Sequence, residues 1–387
     1  MFAGRRLVLA VVAVLLLSGV CAARADSLAD IFTNITVKGG TPRLPSIIVI
    51  RCHGLGIHDL SCYGQTNYFT PNIDKLAAGG MRFTNFTAGA KDFSGALSAL
   101  MTGKNGGAAG SELLPARLQG AGYFTGLIGE WTLSAEPWTQ GFNEFAGFIG
   151  EDEGKDYYAD HVWRFLPHSQ YDPDTKKISD YAGKEMIFAN SGGHRGKYIP
   201  EVFFNTMTGF LQRNQPGRFN HHQPLFLLLD LSAPRSTGKV TDDFTVPSDA
   251  PFSDEPWPQS ARNRASLITR LDGGVGRLFE ELNKIGMTND VLVIFSSSAR
   301  PEKFTDKQMD FMKPNGNVPP DADPAGIPMP LIAYWPAQIA PGEVSGEPCS
   351  NVDLMPTLLE VARLKPEPGL DGTSLLPVLT GKKRGEH

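Results

Sequence analysis

PSIIVIRCHGLGIHDLSCYGQTNYFTPNIDKLAAGGMRFTNFTAGAKDFSGALSALMTGK, residues 45–104, is the stretch whose reading decides the fold. Ile47-Ile48-Val49-Ile50 is a continuous β-branched run, the pattern of a central parallel strand covered on both faces. Further on, Thr70 is expected to cap a helix, Pro71 suits its first position, and Gly79-Gly80 should stop it after Asn72–Ala78. Two similar apolar runs recur outside this stretch, Leu225–Leu229 and Val291–Phe295, with shorter candidates at Tyr123–Ile128 and Leu331–Tyr334. Helical patterns lie between them. Repeated βαβ of this kind predicts an α/β fold, doubly wound, with a mostly parallel central sheet flanked by helices.

The longest helix is predicted from about Ser260. Leu267, Leu271, Val275, Leu278, Leu282 and Ile285 form one apolar stripe. Gly273, Gly274 and Gly276 interrupt it, each costing about 1 kcal/mol against alanine. Close packing on the sheet is the expected reason for them. Val352–Ala362 reads as another helix, starting near Asn351 and Asp353. Residues 151–200 and 235–258 read as long surface insertions, where ligand or partner contacts often sit.

Residues 1–25 stand apart: Arg5-Arg6, an apolar run from Leu7 to Val20, then Ala23-Arg24-Ala25. This is the pattern of a secretory signal peptide cleaved after Ala25, too short in its apolar run for a membrane span. It predicts a secreted or periplasmic protein. A lead-in over 26–44, a main domain over 45–381 and a tail over 382–387 complete the expected organisation. Cleavage leaves 33 basic residues against 41 acidic, a formal charge of −8. An acidic chain lacks the basic stripe that nucleic-acid binding wants. No later segment is long and apolar enough to span a bilayer.

Three cysteines remain after cleavage, Cys52, Cys62 and Cys349. An odd count without CxxC spacing argues against a disulfide scaffold or zinc ribbon. Cys52 is expected to end a buried strand as a small apolar residue. His53, His58 and Asp59 lie near these thiols, but a loop role for His58 and a backbone cap by Asp59 are preferred to a transition-metal site. His221-His222 reads as a polar loop end.

Four blocks, taken in order, resemble the sulfatase branch of the alkaline phosphatase superfamily: Pro45–Lys104; Gly122–Gly150 (GYFTGLIGEWTLSAEPWTQGFNEFAGFIG); Asn263–Ser298, with RLDGGVGRLFEELNKIGMTNDVLVIFSSS; and Gly326–Gly381, with GIPMPLIAYWP and NVDLMPTLLEVARLKPEPGLDGTSLLPVLTG. The resemblance implies that fold, but the chain ends six residues after Gly381, where the family's smaller C-terminal subdomain would follow.

The same resemblance implies a Ca²⁺ or Mg²⁺ ion and a formylglycine nucleophile, and the residues here depart from both. The paired metal-binding aspartates fall on His53 and Gly54, which offer a nitrogen and no side chain where a hard cation needs oxygens. The nucleophile position is Phe93, and the arginine of the same run is Leu97. The family's Gly-Lys-Trp-His becomes Gly129-Glu130-Trp131-Thr132, placing a negative charge where sulfate is held. Its Ala-Pro-His becomes Ala233-Pro234-Arg235, and arginine is no general acid at working pH. The second metal-ligand pair becomes Ser298-Ala299. The lysine expected within Val318–Asp323 is absent, and the arginine of the Gly-Ile-Arg-Val-Pro segment is Pro328.

No metal, no formylglycine and no catalytic residue are therefore expected. The reading is a secreted, sulfatase-like pseudoenzyme that binds a sulfated or acidic glycan or a protein partner. His53, Ser94 and Arg235 are the candidates for residual anion binding, aided by a helix N-terminus near Ser94. Ser94 is otherwise expected to cap the helix carrying Ala96–Leu100. Two alternatives stay open: an active sulfuric-ester hydrolase with a non-standard site, and a metal-dependent phosphoester hydrolase of the same superfamily.

Overall fold

A computed structural model describes residues 43–384, apart from 108–109, 152, 156, 173–176, 217–221, 237–242 and 299–325. The expected signal peptide and most of the expected lead-in lie outside the described residues, and the unit treated below is Leu44–His387. Its elements in chain order are β1 (Ser46–Cys52), α1 (Pro71–Ala78), β2 (Met81–Thr87), α2 (Phe93–Thr102), α3 (Leu114–Gly120), β3 (Phe124–Trp131), β4 (Glu144–Ile149), β5 (His161–Asp172), β6 (Lys177–Phe188), α4 (Ile199–Asn214), β7 (Leu225–Leu231), α5 (Gln259–Lys284), β8 (Val291–Ser297), β9 (Pro328–Tyr334), β10 (Glu343–Ser345), β11 (Cys349–Ser350), α6 (Asn351–Val361) and α7 (Leu376–Leu379). No helix among the described residues is long and apolar enough to cross a membrane.

The sheet runs β10-β2-β9-β8-β1-β7-β3-β4-β5-β6, with β11 beside β2. Its centre, β8-β1-β7-β3-β4, is parallel throughout. The three long apolar runs are the central strands β1, β7 and β8, every residue of which is buried; Tyr123–Ile128 falls on β3 and Leu331–Tyr334 on the flanking β9. The flanks are antiparallel: β9 against β8 and β2, and β5 against β4 and β6. Alternation along each strand divides the core into two layers. Ile48, Ile50 and Leu227 pack with α1, α4 and α5, whereas Ile47, Val49 and Leu228 pack with α2, α3, α6 and α7.

Several local readings need correction. Residues 151–200, read as a long surface insertion, carry two strands, β5 and β6, that extend the sheet, and α4 begins at Ile199. Thr70 precedes α1 without capping it through its side chain. Asp272, immediately before the glycine stretch of α5, accepts hydrogen bonds from the Asn72 and Ile73 amides at 2.9 and 2.8 Å and so caps α1 from another element. Two of the three α5 glycines face helices rather than the sheet, and the third faces open space. A Cβ on Gly274 would lie 2.2 Å from the Phe204 ring of α4, and one on Gly276 would lie 3.0 Å from the Asn72 side chain, but one on Gly273 would meet nothing within 4 Å.

That contrast makes a paired prediction. Gly273→Ala should raise stability by up to about 1 kcal/mol through helix propensity alone. Gly274→Ala should lower it by about 1–3 kcal/mol through overpacking against Phe204. Urea unfolding of the two variants measures both, and a similar sign for the two would contradict the assigned packing.

Candidate functional site

The parallel strands β1, β3, β7 and β8 have their carboxyl ends at one edge of the sheet, the usual site location in a doubly wound fold. Three charged residues sit in the last positions of otherwise apolar strands: Arg51 in β1, Glu130 in β3 and Asp230 in β7. The β1–β7 register places Arg51 directly beside Asp230. Gly129, next to Glu130, has a positive φ, and a Cβ there would lie 1.9 Å from the Asp230 carbonyl oxygen. Only glycine lets β3 and β7 approach this closely while turning the Glu130 side chain inward.

The charges meet around His53. Its Nε2 lies 3.0 Å from Asp230 Oδ1 and its Nδ1 lies 3.0 Å from Glu130 Oε2, the latter at ion-pair distance without hydrogen-bond alignment. Arg51 Nη1 donates to Asp230 Oδ2 at 3.1 Å, and Arg235 Nη2 donates to Glu130 Oε1 at 3.1 Å. None of the five side chains is more than 4% exposed. Isolated buried charges of this kind would each cost several kcal/mol, and mutual pairing is what makes them tolerable.

Two covers close the cluster. Phe93, at the first position of α2, stacks on the His53 ring with centroids 4.6 Å apart and an interplanar angle of 11°, and the Arg235 guanidinium lies 5.2 Å from the same phenyl centroid. On another side, the Glu151 carbonyl accepts from Arg235 Nη2 at 3.1 Å, and a Cβ on Gly154 would come within 2.6 Å of Glu130 Oε1. The Tyr157 hydroxyl also donates to the Arg235 carbonyl at 2.6 Å. Beneath the loop after β1, Arg264 of α5 binds Asp59 Oδ2 at 2.6 Å and the Gly54 carbonyl at 3.1 Å. Asp59 also accepts from the Gly56 amide and the Tyr68 hydroxyl, so it holds both backbone and side chains.

Of the sequence-derived positions, His53, Phe93, Glu130 and Arg235 are in mutual contact. Gly54 contributes backbone only, and a Cβ there would sit 3.3 Å from the Arg235 Cα. Leu97 is buried within the apolar layer around α2. The Thr132 hydroxyl is buried without a partner, although its carbonyl accepts from Ser94 Oγ at 3.3 Å. Ser298 Oγ lies 3.4 Å from the Cys52 carbonyl, and Ala299 falls outside the described residues. Ser94 does not cap α2. Asp92 does, accepting from the Gly95 amide at 2.6 Å. A carboxylate therefore already stands at the helix end proposed for an incoming anion.

Arg51 and Asp230 are the members the sequence reading missed. The available signal was a charge inside each of two apolar strand runs, which becomes meaningful only when the strands are known to be neighbours. The lone thiols behave as expected: Cys52 is fully buried at its strand end, and all three cysteines are free. His58 faces the Tyr63 carbonyl at 3.1 Å, and His222 lies 3.5 Å from that of Leu44. His221 lies outside the described residues.

The cluster does not suit a divalent cation. Its two carboxylates lie on different nitrogens of one imidazole, so His53, Glu130 and Asp230 do not converge on a common point. The cluster atoms without hydrogen-bond partners are Arg51 Nε, Arg51 Nη2 and Arg235 Nε, all donors on cations, with His53 Nδ1 and a single carboxylate oxygen, Glu130 Oε2, where a hard cation needs several oxygen acceptors. Among the described residues, no group of three His, Cys, Asp or Glu side chains is arranged to hold a metal.

Electrostatics follow from the pairing. Burial alone pushes the His53 pKa down and is the largest influence, but the charges of Asp230 and Glu130, with the hydrogen bond to Asp230, outweigh it and the net shift is upward. For Asp230, burial pushes upward, but Arg51 and His53 prevail and hold its carboxyl below the usual range. The stabilisation from protonated His53 is therefore complete below the unfolded histidine value, about 6.5, and is lost as pH rises through the higher folded value. That from Asp230 is present above about 3.9 and is lost as pH falls through its depressed folded value.

Comparison with known proteins agrees with this architecture. A family model described as Sulfatase matches residues 45–364. Arylsulfatase A of Homo sapiens is 28% identical over 378 residues, covering 88% of this chain and 68% of that protein. The crystal structure of Ps i-CgsB superposes with a TM-score of 0.69 at 24% identity, covering 88% of this chain and 77% of the other. The phosphonate monoester hydrolase of Agrobacterium radiobacter superposes at 0.59 with 18% identity, covering 88% and 78%.

The cluster makes a pH-resolved prediction. His53→Gln should lose about 3 kcal/mol near pH 5–6, where the imidazolium serves both carboxylates. The deficit should shrink towards pH 9 as the parent protein loses the same proton. Chemical denaturation across this range measures it, and a deficit independent of pH would contradict a charged His53.

Proposed function

The chain belongs to the sulfatase family, and from that premise we propose that it has left ester hydrolysis and acts as a non-catalytic, secreted or periplasmic binding protein on the sulfatase fold. One observation carries the reading: His53, at a position where the resemblance places a metal ligand, is locked between Glu130 and Asp230 and stacked by Phe93. The cations of the centre serve internal carboxylates, and the side chain at the nucleophile position has no oxidisable heteroatom. Sulfate-ester cleavage on this fold needs a charge-stabilising ion and an activated nucleophile. Among the described residues of the centre, neither role has a residue to fill it.

The same geometry argues against a sulfated glycan at the old centre. Glu130 and Asp230 satisfy the cations that would attract it, Asp92 occupies the α2 N-terminus, and Gly154 lies against Glu130. Binding, on this reading, belongs to other surfaces. The phosphoester-hydrolase alternative is opposed by the divergence of His53, Glu130 and Asp230, and Ser94 has no base beside it, only the Thr132 carbonyl.

The expected result is no turnover of aryl sulfates or aryl phosphates with Ca²⁺, Mg²⁺ or Zn²⁺ supplied, no stoichiometric metal in the purified protein, and a melting temperature unmoved by EDTA. Hydrolysis that stops on chelation would overturn the proposal.

A further inference from the structure

A cavity of about 460 Å³ lies away from the closed centre, between α4 and the β4–β5–β6 part of the sheet. That volume is within the range of small-molecule sites. Its walls are apolar, formed by Leu127, Phe145, Val162 and Phe210, with Ile187 and Phe188 at the lip. Phe188 is 68% exposed, unusual for a large aromatic side chain beside an apolar cavity.

Two glycines shape it in different ways. A Cβ on Gly126 of β3 would come within 2.4 Å of the Phe210 ring, so that glycine seats the ring against the sheet. Gly209, in the middle of α4, has no such reason. A Cβ there would meet only Arg213 Nη1, at 3.1 Å, the movable end of a long side chain. Glycine inside a helix is unfavourable relative to alanine. Nothing packed on Gly209 explains it, and its effect is to keep the cavity open.

The rim is basic although the whole chain carries a formal charge of −5. Arg164, Lys197 and Arg213 line the cavity against a single carboxylate, Glu144, which Arg213 binds at 2.7 Å. Arg164 pairs with Glu185. Among the described residues no carboxylate pairs with the Lys197 ammonium. Its backbone is nevertheless fixed: buried Asn190 accepts from the Lys197 amide at 2.7 Å and donates to its carbonyl at 2.8 Å.

The geometry points to a binding site for a small amphiphile with one anionic head, such as a medium-chain acyl carboxylate, its tail along the Gly209 face and its head at Lys197. The inference does not depend on the loss of hydrolysis proposed above. The tail gains from leaving water, and the head finds a cation without a competing internal partner.

Titration calorimetry of the full chain with sodium dodecanoate tests it, with methyl dodecanoate and dodecyltrimethylammonium as uncharged and cationic probes. Saturable one-to-one binding of dodecanoate is expected, weaker by about fivefold or more in Lys197→Ala. Gly209→Leu, which fills the cavity with a better helix former, should fold with an unchanged or higher melting temperature and lose binding. Three outcomes would overturn the site: no saturable binding, cationic probe binding as tightly as dodecanoate, or undiminished binding by Gly209→Leu. Sedimentation adds a fourth: a parent dimer that Gly209→Leu converts to monomer would assign the cavity to a second copy of the chain.

Discussion

Charge placed at the ends of buried strands must be neutralised where it stands, because water cannot reach it and the surrounding medium is poorly polarisable. Arg51, Glu130 and Asp230 impose that condition on this protein. The remaining features of the centre answer it. His53 serves both carboxylates, Arg235 serves Glu130, and the Glu151 carbonyl takes up a further Arg235 donor. Phe93 and the turn around Gly154 then exclude solvent from a cluster that is already internally paired. A divalent ion would perform the same neutralisation in the opposite sense, gathering anions around one cation. Here cations gather around two anions, and the two solutions cannot share one space.

The fold tolerates the change because its stability lies elsewhere. The five parallel strands at the centre bury continuous apolar side chains on both faces, and the helices of each layer pack on them through apolar side chains that lie outside the strand-end cluster. A second buried pair, Arg264 with Asp59, ties α5 to the loop after β1 and carries the Gly54 carbonyl with it. The loop's path is therefore held by Arg264 and Asp59 rather than by the side chains of His53 and Gly54. Asp272 does the same for α1. Long-range supports of this kind fix the shape of the scaffold independently of the residues at the strand-end centre.

Much of the fold was legible in the order of residues. Ile47–Ile50, Leu225–Leu229 and Val291–Phe295 read as central strands because unbroken apolar runs have few other uses in a chain of this composition. The α5 stripe and the α6 start at Asn351 were equally plain. What failed was chemistry shared between distant elements. Thr70 looked like a cap, but Asp272 supplies it from 200 positions away. Ser94 looked like a cap because of its hydroxyl, yet Asp92 sits one residue before the helix and reaches the Gly95 amide. The insertion at 151–200 concealed two strands, since its mixed polar and aromatic composition lacks the alternation of a half-buried strand.

The sequence by itself determined which family scaffold forms and which residue types stand at His53, Gly54, Phe93 and Leu97. An apolar run can only be buried, and phenylalanine, glycine and leucine can supply no nucleophile, metal ligand or cation. Only the tertiary structure decided what stands in their place. Arg51 and Asp230 are 179 residues apart and acquire meaning when the β1–β7 register sets them side by side. Whether His53 and Arg235 face an incoming anion or an internal one depends on where Glu130 points, and that is fixed by the close approach of β3 and β7 at Gly129 rather than by any local pattern of residues.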